Sequence, residues 1–277
     1  MPIDDFLARY LLPSKRTSSL IGRNLTPPLI VIRRLKLKNY TALICLFLSC
    51  FLVESSAAPL FYGQSYGFIV SDPARFVAAM DEYRASKAGQ QSPAMPVLVQ
   101  NLVNGDYSST HQVSVFYPTT EAMDQSSALN AASPDWRKFQ GEVRESAQRE
   151  WENIYAIQMA RVKKDPTTLD NAVSIVYNMT VKDAAAYVAA FETLLASDEA
   201  KAFPGNIYLG QNIASGNMPG THFVTFVAES TGELVEHVMK IQSSSAMAAY
   251  GKTVADLRTV EAINMFREVK RWVPASN

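Results

Sequence analysis

The chain predicts an α+β fold in which one βαββαβ order of elements occurs twice and the two sheets pack against each other. Three observations predict it. Residues 66–161 match residues 177–272 without a gap, with 22 of the 96 aligned pairs identical. The hydrophobic periodicities run in the same order in both copies. The strands are apolar at both parities, as in Phe223-Val224-Thr225-Phe226-Val227, so both sheet faces need cover. The anchors of the match include Asp72/Asp183, Val77-Ala78-Ala79/Val188-Ala189-Ala190, Gln100-Asn101/Gln211-Asn212, Thr110-His111/Thr221-His222 and Asn153/Asn264. Two copies are too few for a solenoid, which stacks at least three. Each copy therefore reads as a small domain that buries its sheet against its twin.

Residues 1–57 read as a signal peptide with an over-long n-region. Arg33, Arg34, Lys36 and Lys38 precede an apolar run from Thr41 to Val53, and Ser55-Ser56-Ala57 offers small residues for cleavage before Ala58. The run is too short to span a bilayer as a helix. This predicts a periplasmic or secreted protein with no stable membrane insertion after cleavage. Cys45 and Cys50 both lie in the run, so the processed chain has no cysteine and no disulfide. Removal of the leader leaves 18 Lys+Arg against 23 Asp+Glu, a balance that excludes a basic nucleic-acid-binding surface.

The first module spans 58–162. A strand from about Tyr62 to Val70 leads to Asp72, placed to cap a helix that has Pro73 at its first position. Phe76, Ala79, Met80 and Tyr83 then recur at the spacing of one buried face. Pro93 breaks the chain before a strand over Val97–Val103. Asn104-Gly105-Asp106 turns it into a third strand over His111–Tyr117. The second helical region is interrupted at Ser133-Pro134-Asp135, which predicts two helical pieces, and a last strand runs from about Asn153 to Val162.

After a proline-broken linker over 163–171, the second module, 172–277, repeats the plan. Its strands are expected over Val173–Val181, Ile207–Ala214, His222–Ala228 and Asn264–Trp272. Asp183 and Ser230-Thr231-Gly232-Glu233 supply the caps. A βαββαβ unit of this length is the ferredoxin-like arrangement, a four-stranded antiparallel sheet with two helices on one face. Sheet-to-sheet packing of two such modules, helices outside, hides both apolar faces.

With Asn178 in the first strand of the second copy, Phe203-Pro204-Gly205 before the second strand, and Ser133-Pro134-Asp135-Trp136-Arg137-Lys138-Phe139 and Ser244-Ser245-Ala246-Met247-Ala248-Ala249-Tyr250 in the second helical region, the chain resembles the dimeric α/β-barrel superfamily, its antibiotic-biosynthesis-monooxygenase-like members in particular, fused as a tandem pseudo-dimer. The resemblance implies an intramolecular α/β barrel. In the heme-degrading branch an asparagine on the first strand works with a tryptophan and a histidine on the second helical region. Asn178 matches that asparagine, Gly67 stands in its place in the first copy, and the late helices have no histidine. No cofactor is therefore expected, heme included. Cofactor-free members of the superfamily oxidise substrates that themselves activate oxygen.

The candidate catalytic residues are His111, His222 and Asn178. The two histidines occupy matched positions at the mouth of the third strand. They admit two readings: acid–base or ligand groups titrating near neutrality, or Thr-His pairs that close the hairpin. Gln100, Asn101, Gln211 and Asn212 are candidates to orient a substrate carbonyl, or amides that satisfy neighbouring backbone. Trp136 and Tyr250 are candidates for core or for pocket wall rather than for chemistry. No metal site is expected, since only His111, His222 and His237 are available among histidines and no cysteine survives cleavage. The functional expectation is an exported protein that binds a small apolar molecule, or a cofactor-independent monooxygenase-like enzyme, with its pocket between the sheet and helices of one copy. The alternative is a non-catalytic structural or interaction module. In either case the halves pair with each other.

Overall fold

The computed structural model describes residues 58–274. The leader reading, with its cysteines and cleavage site, lies outside the described residues.

The described residues form an α+β fold with eight helices around one closed antiparallel barrel. Its first half runs β1 (Phe61–Val70), α1 (Pro73–Ala85), α2 (Lys87–Gln91), β2 (Met95–Val103), β3 (His111–Tyr117), α3 (Thr120–Ala132), α4 (Pro134–Ser146) and β4 (Ala147–Arg161). The second half runs β5 (Val173–Val181), α5 (Ala184–Leu195), α6 (Asp198–Ala202), β6 (Asn206–Ala214), β7 (His222–Ala228), α7 (Thr231–Gln242), α8 (Ser245–Val254) and β8 (Arg258–Arg271). Around the barrel the strands follow the order β1-β3-β2-β8-β5-β7-β6-β4. The register repeats along with the sequence: Tyr66 faces Val113 across β1 and β3, and Tyr177 faces Val224 across β5 and β7.

Local chemistry sets the helix starts. The Asp72 carboxylate accepts from the Arg75 N–H and that of Asp183 from the Ala186 N–H, each at 3.0 Å. Ser133 Oγ caps α4 through the Asp135 and Trp136 N–H groups, and Pro134 needs no partner there. The short helices α2 and α6 were not expected. Their signal was present in Ser86 and Ser197, whose hydroxyls accept from the Gly89 and Ala200 N–H groups. Between β2 and β3, and between β6 and β7, Gly105 and Gly216 adopt φ of 60° and 53°, a backbone region that favours glycine.

The last strand of each half starts earlier than the sequence suggests. β4 begins at Ala147 and pairs it with Val70, and β8 begins at Arg258 and pairs it with Val181. The polar run Gln148-Arg149-Glu150 hides this extension, because strands that reach solvent at the barrel rim need no apolar alternation.

The two sheets do not stack face to face as expected. They join at their edges, β2 to β8 and β4 to β6, with Asn101 across from Phe266 and Tyr155 across from Asn212. Open edges expose unpaired N–H and C=O groups, and closure removes them. The helices cover the outside of the barrel in a filled layer. Phe76, Met80, Leu98, Val113 and Trp272 pack there on one side, and Tyr187, Phe191, Phe203, Ile207, Leu234 and Ile241 on the other. Complete burial of each such side chain contributes about 1.5–3 kcal/mol. The pocket expected between sheet and helices is thus occupied by core. Trp272, just past β8, buries in the core of the first half, where its indole N–H donates to Asp81 at 2.8 Å.

Candidate functional site

Closure turns the inner faces of all eight strands toward one cavity of about 700 Å³. That volume lies in the range of small-molecule sites. Alternation decides which residues line it: Ser174, Val176 and Asn178 of β5 point inward, while Val173 and Met179 pack in the outer core. The wall is mainly apolar and aromatic, with Phe116, Trp151, Tyr155, Tyr208, Phe223 and Phe266 prominent.

Three glycines make room for these rings. A β-carbon at Gly63, Gly67 or Gly210 would come within 2.2 Å of Tyr155, Trp151 or Phe223, each the direct cross-strand partner. Tyr155 and Phe223 then meet edge to face at 5.1 Å. Burial pushes the Tyr155 phenol up to about 12, with the nearby Ser65 and Ser114 hydroxyls acting against the rise, so it stays neutral at physiological pH.

A few polar groups interrupt the apolar wall. The Ser65 and Ser114 hydroxyls lie 2.8 Å apart, and the Gln112 amide donates to Ser114 at 2.7 Å. Trp151 Nε1 donates to Ser109 Oγ. Asn178 Nδ2 donates to Asn264 Oδ1 at 2.9 Å. On the opposite side of the barrel Asn153 Nδ2 donates to Asn212 Oδ1 at 3.1 Å, and Asn212 Nδ2 donates to the Gly220 carbonyl. Where the segment between β4 and β5 approaches the barrel, Arg271 bonds both Glu268 and the Pro166 carbonyl, and all three residues line the cavity. Burial raises the Glu268 carboxyl above its ordinary value, and Arg271 pulls it back.

Among the candidates from sequence, Asn178 alone borders this cavity. Its inward direction takes it away from the helices, so it cannot work with groups on the second helical region as the family resemblance implied. His111 and His222 sit on β3 and β7, on opposite sides of the barrel and outside the cavity. Each accompanies a threonine that ties the hairpin to its neighbour. Thr110 Oγ1 accepts from the Val70 N–H and meets His111 Nδ1 at 2.9 Å; Thr221 Oγ1 accepts from the Val181 N–H and meets His222 Nδ1 at 2.9 Å. His222 is 2% exposed beside Tyr187, and its Nε2 has no partner among the described residues. Burial lowers both imidazoles from their ordinary value.

The candidate binding amides Gln100, Asn101, Gln211 and Asn212 lie outside the lining of the cavity. Gln100 is exposed, Gln211 accepts from Gln158, and Asn101 donates to Asn104 and to the Ser109 carbonyl. Trp136 meets Tyr83 edge to face at 5.0 Å and Phe139 at a tilt at 5.1 Å, between α1 and α4. Tyr250 donates to the Tyr187 hydroxyl in the outer core, under the Arg258 guanidinium. Of core and pocket wall, these contacts correspond to core; sequence left the two open, because an aromatic at helical spacing looks the same whether it meets core or cavity. Sequence reasoning also missed Asn264, Ser65, Ser114, Glu268 and Arg271. The matched pair Asn153/Asn264 was the available signal: an asparagine kept at the same offset on the inward parity of both final strands. Among the described residues no group of three or more His, Cys, Asp or Glu side chains is placed to hold a metal ion.

No family model and no curated protein matches the sequence. Solved structures do match the fold. The putative monooxygenase of Fusobacterium nucleatum subsp. nucleatum is 13% identical with a TM-score of 0.52, over 77% of this chain and 93% of that one. An anthrone oxidase-like protein is 10% identical, also with a TM-score of 0.52, over 80% of this chain and 96% of that one. These neighbours are dimeric α/β-barrel fold relatives. At such identities the likeness shows the fold alone.

Proposed function

We propose that the protein binds one small, predominantly apolar molecule inside the barrel. The cavity carries this reading. A dry void costs about 24 cal/mol per Å³. At about 700 Å³ such a void would exceed the whole net stability of a typical domain, about 5–15 kcal/mol. The space is therefore kept for an occupant or for solvent, whereas the layers under the helices are filled. Aromatic walls with a few fixed polar groups suit a flat apolar molecule of modest size.

The architecture behind the cavity reads as two tandem ferredoxin-like modules, 58–162 and 172–277, joined by the linker 163–171. The ungapped match of the halves, the register that recurs with it, and the identical strand order in each half all support a duplication. Export rests on the leader over residues 1–57. A second reading is cofactor-independent oxidation of the bound molecule. It is favoured by the names of the two fold relatives and by a largely apolar interior whose aromatic walls could hold a substrate that activates oxygen.

Native mass spectrometry of the protein purified from its own host tests the binding reading, with a retained molecule of a few hundred daltons as the expected result. Val176→Trp, which fills the cavity from β5, should release it. A protein that carries nothing, and that takes up no apolar probe in calorimetry, would overturn the reading. Oxygen uptake by the loaded protein, measured with an electrode, separates the enzyme from the carrier.

A further inference from the structure

We propose that the Asn178–Asn264 pair recognises a cis-amide edge, a ring N–H beside a C=O as in a lactam, on the molecule held in the barrel. The inference rests on the reading of the cavity as a binding site and adds the chemical class of the ligand. Both side chains line the cavity, and they are 5% and 4% exposed. Their mutual bond uses one donor and one acceptor, Asn178 Nδ2 and Asn264 Oδ1. A second acceptor on Asn178 and a second donor group on Asn264 make no other side-chain hydrogen bond among the described residues. The amide oxygens of Asn101 and Asn153, by contrast, are buried without a partner among the described residues.

The result does not depend on how the amides are turned. If both were flipped, Asn264 would donate to Asn178, and the pair would still hold one unused donor and one unused acceptor. A cis-amide edge answers both at once. An ionised carboxylate offers acceptors only and would face the free oxygen with lone pairs, and a plain hydrocarbon would leave both groups unpaired in an apolar wall.

The opposite side of the barrel offers no equivalent pair. Gly67 and Asn153 occupy the corresponding positions on β1 and β4. The Gly220 carbonyl, an unambiguous acceptor at a glycine of φ 92°, fixes Asn212, and Asn212 in turn fixes Asn153. Trp151 fills the space above Gly67. The Asn178–Asn264 pair thus has no counterpart across the cavity, where Asn153 and Asn212 are tied to each other and to the Gly220 carbonyl.

Calorimetry on the full chain with 2-quinolinone and N-methyl-2-quinolinone tests the proposal. The two probes share the ring system and the carbonyl and differ at nitrogen, where a methyl group replaces the hydrogen; the asparagine variants separate loss of the donor from the added bulk. N-methylation should weaken binding roughly tenfold or more, about the effect of one buried hydrogen bond. In Asn178→Ala and Asn264→Ala the two probes should bind alike. Should either variant fail to fold, the probe comparison on the unaltered chain still decides. Equal affinities there, with both probes displaced by Val176→Trp, would overturn the amide assignment and leave the binding cavity standing. Failure of both probes to bind, together with a host-purified protein that carries nothing, would overturn both.

Discussion

Gly67 and Trp151 face each other across β1 and β4, and the indole lies where a β-carbon of residue 67 would be. The corresponding pair in the second half, Asn178 and Ala262, has its larger side chain on the other strand. The two sites carry complementary exchanges of bulk. Gly67→Asn should destabilise the protein by about 1–3 kcal/mol through overpacking. Combined with Trp151→Ala it should cost less than the sum of the single changes, with a coupling of about 1–3 kcal/mol. Urea unfolding of the four proteins in the cycle measures this, and strict additivity would refute the contact.

His222 makes stability depend on pH. Its buried imidazole is held below the ordinary value of about 6.5, so the folded state favours the neutral ring and the unfolded state binds the extra proton. The contribution is fully present above the unfolded value and is lost as pH falls through the folded one, at up to about 1.4 kcal/mol per pH unit. Glu268, raised by burial, acts with the opposite sign, since stability from a raised carboxyl falls as pH rises through its folded value. The informative quantity is therefore the difference between the parent and His222→Gln. Between about pH 7 and 5 the parent should lose more stability than the variant, and parallel profiles would exclude the effect.

Phe203 is 1% exposed and meets Phe226 edge to face at 5.5 Å, beneath His237 on α7. Phe203→Ala should cost about 3–5 kcal/mol, the range for an aromatic removed from a close-packed core. Thermal unfolding gives the value. A loss below about 1 kcal/mol would mean that the layer under the helices is loose rather than filled.

Separately expressed halves, 58–164 and 170–277, should aggregate or self-associate. Each would open the two edges now joined as β2–β8 and β4–β6 and expose its share of the cavity wall. The first half would also lose Trp272 from its core. Analytical ultracentrifugation reads the outcome, and a stable, well-folded monomer of either half would refute the interdependence.

Much of this fold was legible because its signals are local. Asp72 and Asp183 cap helices wherever the chain goes next, and Pro134 after Ser133 starts α4 without reference to anything distant. Strands apolar on both faces told that both faces are covered. They could not tell that the inner cover is the far side of the same barrel, with space between. Whether Val176 and Phe266 meet packed core or a cavity depends on strand tilt and closure, which no window of sequence contains. The histidines drew notice for their chemistry, yet they serve the hairpin corners. Asn264, ordinary in sequence, gains a role only when closure sets β5 beside β8 and brings Asn178 within reach.

The barrel closes with one polypeptide and unlike halves, and this bears on how an occupant can lie. In a ring made from two identical chains, an unsymmetrical guest has two equivalent poses related by the two-fold axis, and any selectivity must be built at both. Here the flank with Trp151 and the flank with Asn178 break that equivalence. A guest with a distinct head and tail has a single preferred heading, and each wall can be altered by mutation without an obligatory copy of the change opposite.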